Sequence, residues 1–146
     1  MENFQNKEIP ILIESLATFL IEVADSPPLG LNLKTKEFSS LSESSFFGYK
    51  FEDKDRKGIW LGIYLDFWKQ KGLPICIQII ADKGYPGGFI LKFEQFCKSE
   101  NEILCDYHND FHDLPTVGIR NEFLMEKKRG EIIQMIERLL KKLLLT

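Results

Sequence analysis

The chain of 146 residues lacks several features that would classify it at once. No apolar run reaches the roughly 20 residues of a membrane-spanning helix. The apolar stretch after "MENFQNKEIP" is interrupted by Glu14 and Glu22, and that opening carries no basic signal-peptide start. Neither end shows a lipidation signal, so no membrane partner is expected. Cysteine is scarce: Cys76, Cys97 and Cys105 leave at least one thiol unpaired. That excludes a disulfide framework and places the chain in a reducing, cytoplasmic setting. Basic charge is not in excess either. The net charge of −3 argues against general nucleic-acid binding, which needs a basic patch to read phosphates. The glycine-rich "GYPGGF" at 84–89 is followed by no Lys-Ser/Thr pair and, on this reading, opens no helix. It reads as a turn, not a phosphate cradle. No internal repeat is present.

What is present suits one compact core. The length is that of a single domain spanning 1–146, which buries about two thirds of its unfolded surface and needs neither disulfide nor metal. Apolar residues make up 44% and charged residues 28%, with twelve Phe, four Tyr and two Trp to fill the interior. Charge is unevenly placed. Residues 94–113 hold six acids (Glu94, Glu100, Glu102, Asp106, Asp110, Asp113) against one base, Lys98, whereas 120–142 hold seven bases against four acids. The first segment is a solvated loop or an acidic edge that faces a partner or a cation.

Periodicity sets the elements. Ile9, Leu12, Ile13, Leu16, Phe19, Leu20 and Val23 recur at three- and four-residue intervals, predicting a helix over 8–24 that "DSPPLG" stops. "LGLNLKTKEF" alternates and reads as an edge strand. Phe47, Tyr49 and Phe51 alternate with polar residues, "EDKDRKG" turns, and residues 58–67 return, which makes a hairpin with a charged tip. Further strands are predicted at 75–80, at about 89–96 and at 102–107. Ile132, Ile133, Ile136, Leu139, Leu140, Leu143 and Leu144 predict a closing helix, with Lys141 and Lys142 suited to its negative end. The fold class is therefore α+β: a single, mainly antiparallel sheet of five to six strands, with an N-terminal and a C-terminal helix packed on one face. Phe47, Tyr49, Phe51, Leu61, Ile63, Leu65, Ile75, Ile77, Ile79, Phe89, Leu91 and Phe93 would line the buried side. Lys50, Glu52, Trp60, Tyr64, Asp66, Gln78, Lys92 and Glu94 would show on the other.

That second face raises the functional question. A half-covered strand carries small or charged residues on its open side, yet "GIWLGIYLDF" puts Trp60 and Tyr64 there. Either the two rings pack on each other under a loop or lysine stems, or they anchor a partner, since Trp and Tyr bury large area at little rotamer cost. With Lys50, Asp66 and Lys92 they form the expected partner-binding set. "CDYHNDFHD" at 105–113 is the cluster closest to a metal-ligand set, with Cys105, His108 and His112 as candidates. Its spacing matches no standard zinc pattern, so no metal or other cofactor is expected. Cys105 with His108 could form a nucleophile–base pair, but nothing in the sequence supplies an orienting group or an oxyanion hole. "FEDKDRKG" places Glu52 two before Lys54 and Asp55 two before Lys57, the acid–lysine spacing of metal-dependent nucleases, for which Asp25 is the upstream acid available.

From Trp60 onward the order of motifs resembles the non-catalytic C-terminal region of bacterial PD-(D/E)XK nuclease-like proteins. Trp60, Gly62, Trp68, Gly72, Pro74, Leu114 and Pro115 carry the resemblance, over roughly residues 47–144. It implies a stand-alone accessory or recognition module of a bacterial defence or conflict system, and carries over no catalytic residue. The reading is thus a small cytosolic, non-enzymatic protein-interaction module of accessory, inhibitor or immunity type. It would bind another protein through the aromatic sheet face or the acidic edge. A metal-dependent nuclease remnant and a small-ligand-binding domain are the alternatives. Sequence sets no oligomeric state.

Overall fold

A computed structural model describes Thr18 and residues 34–36, 46–53, 57–81, 84–85, 87–124 and 128–144. The helix expected over 8–24 and most of the edge strand expected at 29–38 lie outside the described residues. The described elements run β1 (Lys34–Lys36), β2 (Phe46–Glu52), β3 (Lys57–Tyr64), α1 (Leu65–Lys71), β4 (Ile75–Ala81), α2 (Phe89–Ser99), β5 (Leu104–Phe111), β6 (Leu114–Ile119), a 3₁₀ turn (Asn121–Leu124) and α3 (Arg129–Leu144). The six strands form one antiparallel sheet in the order β1-β2-β3-β4-β6-β5, so the fold is α+β as the periodicity predicts. Among the described residues no helix is long and apolar enough to cross a membrane.

The hairpin of β2 and β3 closes at its charged tip. The Asp53 N–H donates to Lys57 O at 3.0 Å, the Lys57 N–H donates to Asp53 Oδ1 at 3.2 Å, and the two side chains pair at 3.8 Å. Strand alternation then sorts the sheet into two faces. On the first, Phe51, Ile59, Leu61, Ile63, Ile75, Ile77, Ile79, Val117 and Ile119 are fully or almost fully buried. They pack against Phe93 and Phe96 of α2 and Ile132, Ile136, Leu139 and Leu140 of α3. Each such side chain contributes about 1.5–3 kcal/mol by leaving water. The closing helix thus lies where its 3.6-residue period puts it.

Four local expectations are overturned. Residues 89–96, read as a strand, form α2: Phe89, Phe93, Phe96 and Cys97 are buried at four-, three- and one-residue steps, a helical stripe, while Leu91 is 55% exposed. The helix opens directly after Gly88, whose φ of 79° takes the left-handed region that glycine tolerates, so a helix does follow "GYPGG". Residues 65–67 do not extend β3. Tyr64 is the last extended residue, α1 follows, and Gly72 at φ 74° stops it with its N–H donating to Trp68 O at 2.8 Å. Finally, β5 runs to Phe111 and is paired with β6, a strand the sequence reading did not include and which contains Pro115, a residue type rare in central strands. Pro115 is tolerated there because pairing of β6 to β4 begins only at Thr116.

Candidate functional site

The second face is built from Phe46, Gly48 and Lys50 of β2, Trp60, Gly62 and Tyr64 of β3, Cys76 and Gln78 of β4, and Thr116 and Gly118 of β6. The register puts Gly48 opposite Gly62, Lys50 opposite Trp60, Trp60 opposite Gln78, and Gln78 opposite Thr116. The paired glycines make a trough. A Cβ on Gly62 would lie 2.6 Å from Trp60 Cζ2 and 2.7 Å from Gly48 Cα, and one on Gly48 would lie 2.7 Å from the same indole carbon. The half-buried Trp60 ring therefore lies down on bare backbone.

From this seat a chain of ring contacts crosses the face. Phe46 meets Trp60 at 6.0 Å and stacks on Tyr64 at 5.7 Å, and Trp60 meets Tyr64 edge-on at 6.0 Å. Tyr64 in turn contacts Phe111 at 5.5 Å and stacks on His112 at 5.2 Å, with an interplanar angle of 18°. Phe67 of α1 meets Phe111 at 5.2 Å and His108 at 6.4 Å. Phe67, Leu73, Cys76 and Phe111 form a second, small core on this side, with Trp60, Tyr64 and Cys105 packed against its edge. Gly118 makes room for it: a Cβ there would meet Leu73 Cδ1 at 2.4 Å. The face expected to be polar is thus partly apolar, because α1 and the segment after it fold back over β4 and β6.

The β5–β6 hairpin brings His112 to the rings. Phe111 pairs with Leu114 across a two-residue turn whose central residues, His112 (φ 52°) and Asp113 (φ 69°), are both left-handed. This is the turn handedness that suits strand twist, and His and Asp are among the few non-glycine types that enter that region. A buried polar ladder holds the turn from beneath. Gln78 Nε2 donates to Thr116 Oγ1 at 3.1 Å and to Phe111 O at 3.4 Å, and Thr116 Oγ1 donates to Leu114 O at 2.9 Å. Gln78, expected on an open face, is 5% exposed, and these partners explain how it tolerates burial. His112 Nε2 lies 3.2 Å from Asp66 Oδ2, tying the hairpin tip to α1.

Of the expected partner-binding set, the structure gathers Trp60, Tyr64 and Asp66, with Lys50 directly across from Trp60. Lys92 does not belong: it is on α2, which packs on the first face. Glu94 leaves the second face for the same reason. Sequence reading missed Phe46, Phe111 and His112 as members of the ring cluster, and the Gln78–Thr116 support. The legible trace was Gly48 and Gly62, alternating with large residues on two adjacent strands.

Burial of Tyr64, then Asp66 and Cys76, raises its phenol above the usual range. Burial likewise raises the thiols of Cys76 and Cys105; at Cys105 Arg120 works the other way, and Asp106 and Glu122 add to the rise. A raised thiol is less readily a nucleophile, so burial works against a Cys105–His108 pair. Among the described residues no three His, Cys, Asp or Glu side chains converge as a metal site, so Cys105, His108 and His112 share a face without forming a ligand set. Of the acid–lysine series, Lys54, Asp55 and Asp25 lie outside the described residues, and Lys57 is engaged with Asp53. A separate cleft of about 230 Å³ lies between the end of α2 and α3, where Arg138 makes a forked pair with Glu100 at 2.7 and 2.9 Å.

Comparison of this chain with protein-family models, with curated proteins and with solved structures finds no match.

Proposed function

We propose that this chain is a small, non-enzymatic protein-interaction module of the cytosolic accessory, inhibitor or immunity type, possessing one binding face: the aromatic side of its sheet. One observation carries the reading. Phe46, Trp60, Tyr64, Phe111 and His112 form a continuous set of ring contacts on the face opposite α2 and α3, and Phe46 is 36% exposed. Rings preset in one arrangement lose little freedom on binding, which is why Trp and Tyr dominate interface energetics. The rigid floor of Gly48, Gly62, Gln78 and Thr116 fixes their positions before any partner arrives. Burial raises the Cys76 and Cys105 thiols on this face, which works against their use as nucleophiles.

The test uses the purified chain as bait in lysate of its source organism, beside Phe46→Ala and Tyr64→Ala variants shown by circular dichroism to be folded. The expected result is one stoichiometric partner whose affinity, remeasured with purified components, falls roughly 30-fold in Tyr64→Ala, the ~2 kcal/mol of an interface hot spot. Unchanged affinity in both variants refutes the assignment of this face.

A further inference from the structure

The Tyr64 ring is stacked from within the chain by two neighbours, Phe46 at 5.7 Å and His112 at 5.2 Å. They are held differently. Phe46 stands opposite Tyr64 in the β2–β3 ladder and cannot leave without parting the strands. His112 is carried on the tip of the β5–β6 turn. That turn is anchored on either side of the tip, at Phe111 O by Gln78 and at Leu114 O by Thr116. The imidazole itself, 48% exposed, rests on the Tyr64 and Phe111 rings and on Asp66 Oδ2 at 3.2 Å. His112 and Asp113 both have left-handed backbones, where asparagine and glycine fit best, so turn geometry gives no reason for a histidine. What an imidazole adds is a charge that changes between about pH 5 and 8.

We propose that His112 is a pH-sensitive latch at the corner where Tyr64, His112 and Asp66 meet, closed over Tyr64 when protonated and loosened when neutral. Protonation turns the Asp66 contact into an ion pair and sets a cation over the Tyr64 ring, and both hold the imidazole down. Loss of the proton leaves Asp66 to Lys69, the exposed permanent cation one turn on along α1. Asp110 and Asp113, exposed on the same hairpin, carry the opposite charge to an imidazolium, and Lys69 carries the same. Burial, then Asp66 and Cys76, raises the Tyr64 phenol, which stays uncharged throughout this range. The other histidine of the chain, His108, lies against Phe67. The consequence rests on the interaction-face reading above: a partner reaching Tyr64 competes with His112 for it. Binding therefore strengthens as pH rises through the histidine range, while Phe46, Trp60 and Tyr64 keep their places.

The experiment follows the free, full chain by NMR at about pH 5.5 and about pH 8.5, on either side of the histidine range. It reads the contact between Tyr64 and His112 ring protons, and the broadening of the Tyr64 ring by a neutral gadolinium chelate in solvent. The expected result is a weaker contact and a broader Tyr64 signal at the higher pH. The closed-to-open ratio should change by up to about fivefold, the reach of an exposed ion pair. His112→Asn keeps a residue suited to the left-handed turn and should leave Tyr64 open at both pH values. Asp66→Asn should flatten the step, and His108→Gln should leave it intact. Equal Tyr64 broadening at both pH values in the native chain, a step that survives in His112→Asn, or a step that His108→Gln abolishes would each overturn the proposal. Against the purified partner, the affinity of the native chain relative to His112→Asn should rise by the same factor from the lower pH to the higher, a comparison that cancels titration of the partner. A constant ratio, with a partner that depends on Tyr64, would also overturn it. A latch that opens as stated, beside a partner indifferent to Phe46→Ala and Tyr64→Ala, would strike the interaction-face reading instead.

Discussion

Replacing Gly62 with alanine adds a methyl group at the point where β2, β3 and the Trp60 indole come closest. The new carbon would sit 2.5 Å from Phe47 O, 2.6 Å from Trp60 Cζ2 and 2.7 Å from Gly48 Cα. Two of those three atoms belong to the backbone of the adjoining strand, in a ladder that continues on both sides, so they yield only if the strands part. The indole edge yields more easily, but only by lifting off its floor, which breaks its contacts with Phe46 and Tyr64. Overpacking of this kind costs about 1–3 kcal/mol. At roughly 3–5 °C per kcal/mol for a chain of this length, the melting temperature should fall by about 3–15 °C. Gly130→Ala is the matched control. It is the same chemical change in α3, where nothing lies within 4 Å of the added carbon, and removing a helical glycine should stabilise by up to about 1 kcal/mol. Thermal melts followed by fluorescence, in a Trp68→Phe background so that Trp60 alone reports, distinguish the two. A Gly62→Ala protein with unchanged melting and unchanged Trp60 emission would refute the glycine-seat argument.

Three further outcomes follow from the same geometry. Gln78→Leu removes the donor to Thr116 Oγ1 and Phe111 O, and should cost about 1–3 kcal/mol and speed hydrogen exchange at residues 111–114; unchanged exchange there would show that Gln78 does not hold the turn. Stability should decline as pH rises from about 9 toward 12. Burial pushes Cys97 up to about 12 from 9.0 and Tyr107 up to about 12 from 10.0, so the unfolded chain releases these protons first; melts that do not move between pH 8.5 and 11 would contradict this. Alkylation of the native protein should modify the half-buried Cys105 first and reach Cys76 and Cys97, 0% and 5% exposed, only on unfolding; equal rates at all three would contradict the packing described.

Elements with an unbroken period were legible in the sequence. The β2–β3 hairpin, β4 and α3 each keep one spacing over six or more residues, and their buried sides coincide with the expected ones. The stretch from Phe89 was misread because Phe89, Leu91 and Phe93 fit both an alternating strand and a helix, and only Phe96 and Cys97 break the tie. The short α1 was hidden for a related reason: seven residues are too few to set a period, and Leu65 and Phe67 continue the alternation of β3. The candidate site was legible in part. Trp60 and Tyr64 stand out on any two-residue reading, and they do share a face. Their convergence with His112 depends on the β5–β6 hairpin turn lying beside the sequence-distant β3 and on α1 folding back, and neither placement leaves a local mark. Asp66 reached the corner for a reason the strand reading did not contain. It is in the first turn of a helix, not on a strand face.

The central claim is that the partner sits on the aromatic face, and photo-crosslinking tests it most directly. Benzoylphenylalanine placed at Phe46, 36% exposed beside Trp60 and Tyr64, samples that face. The same probe at Leu91, 55% exposed on α2, samples the opposite side. The account predicts a partner adduct from position 46 and none from position 91. An adduct from position 91 alone would contradict it.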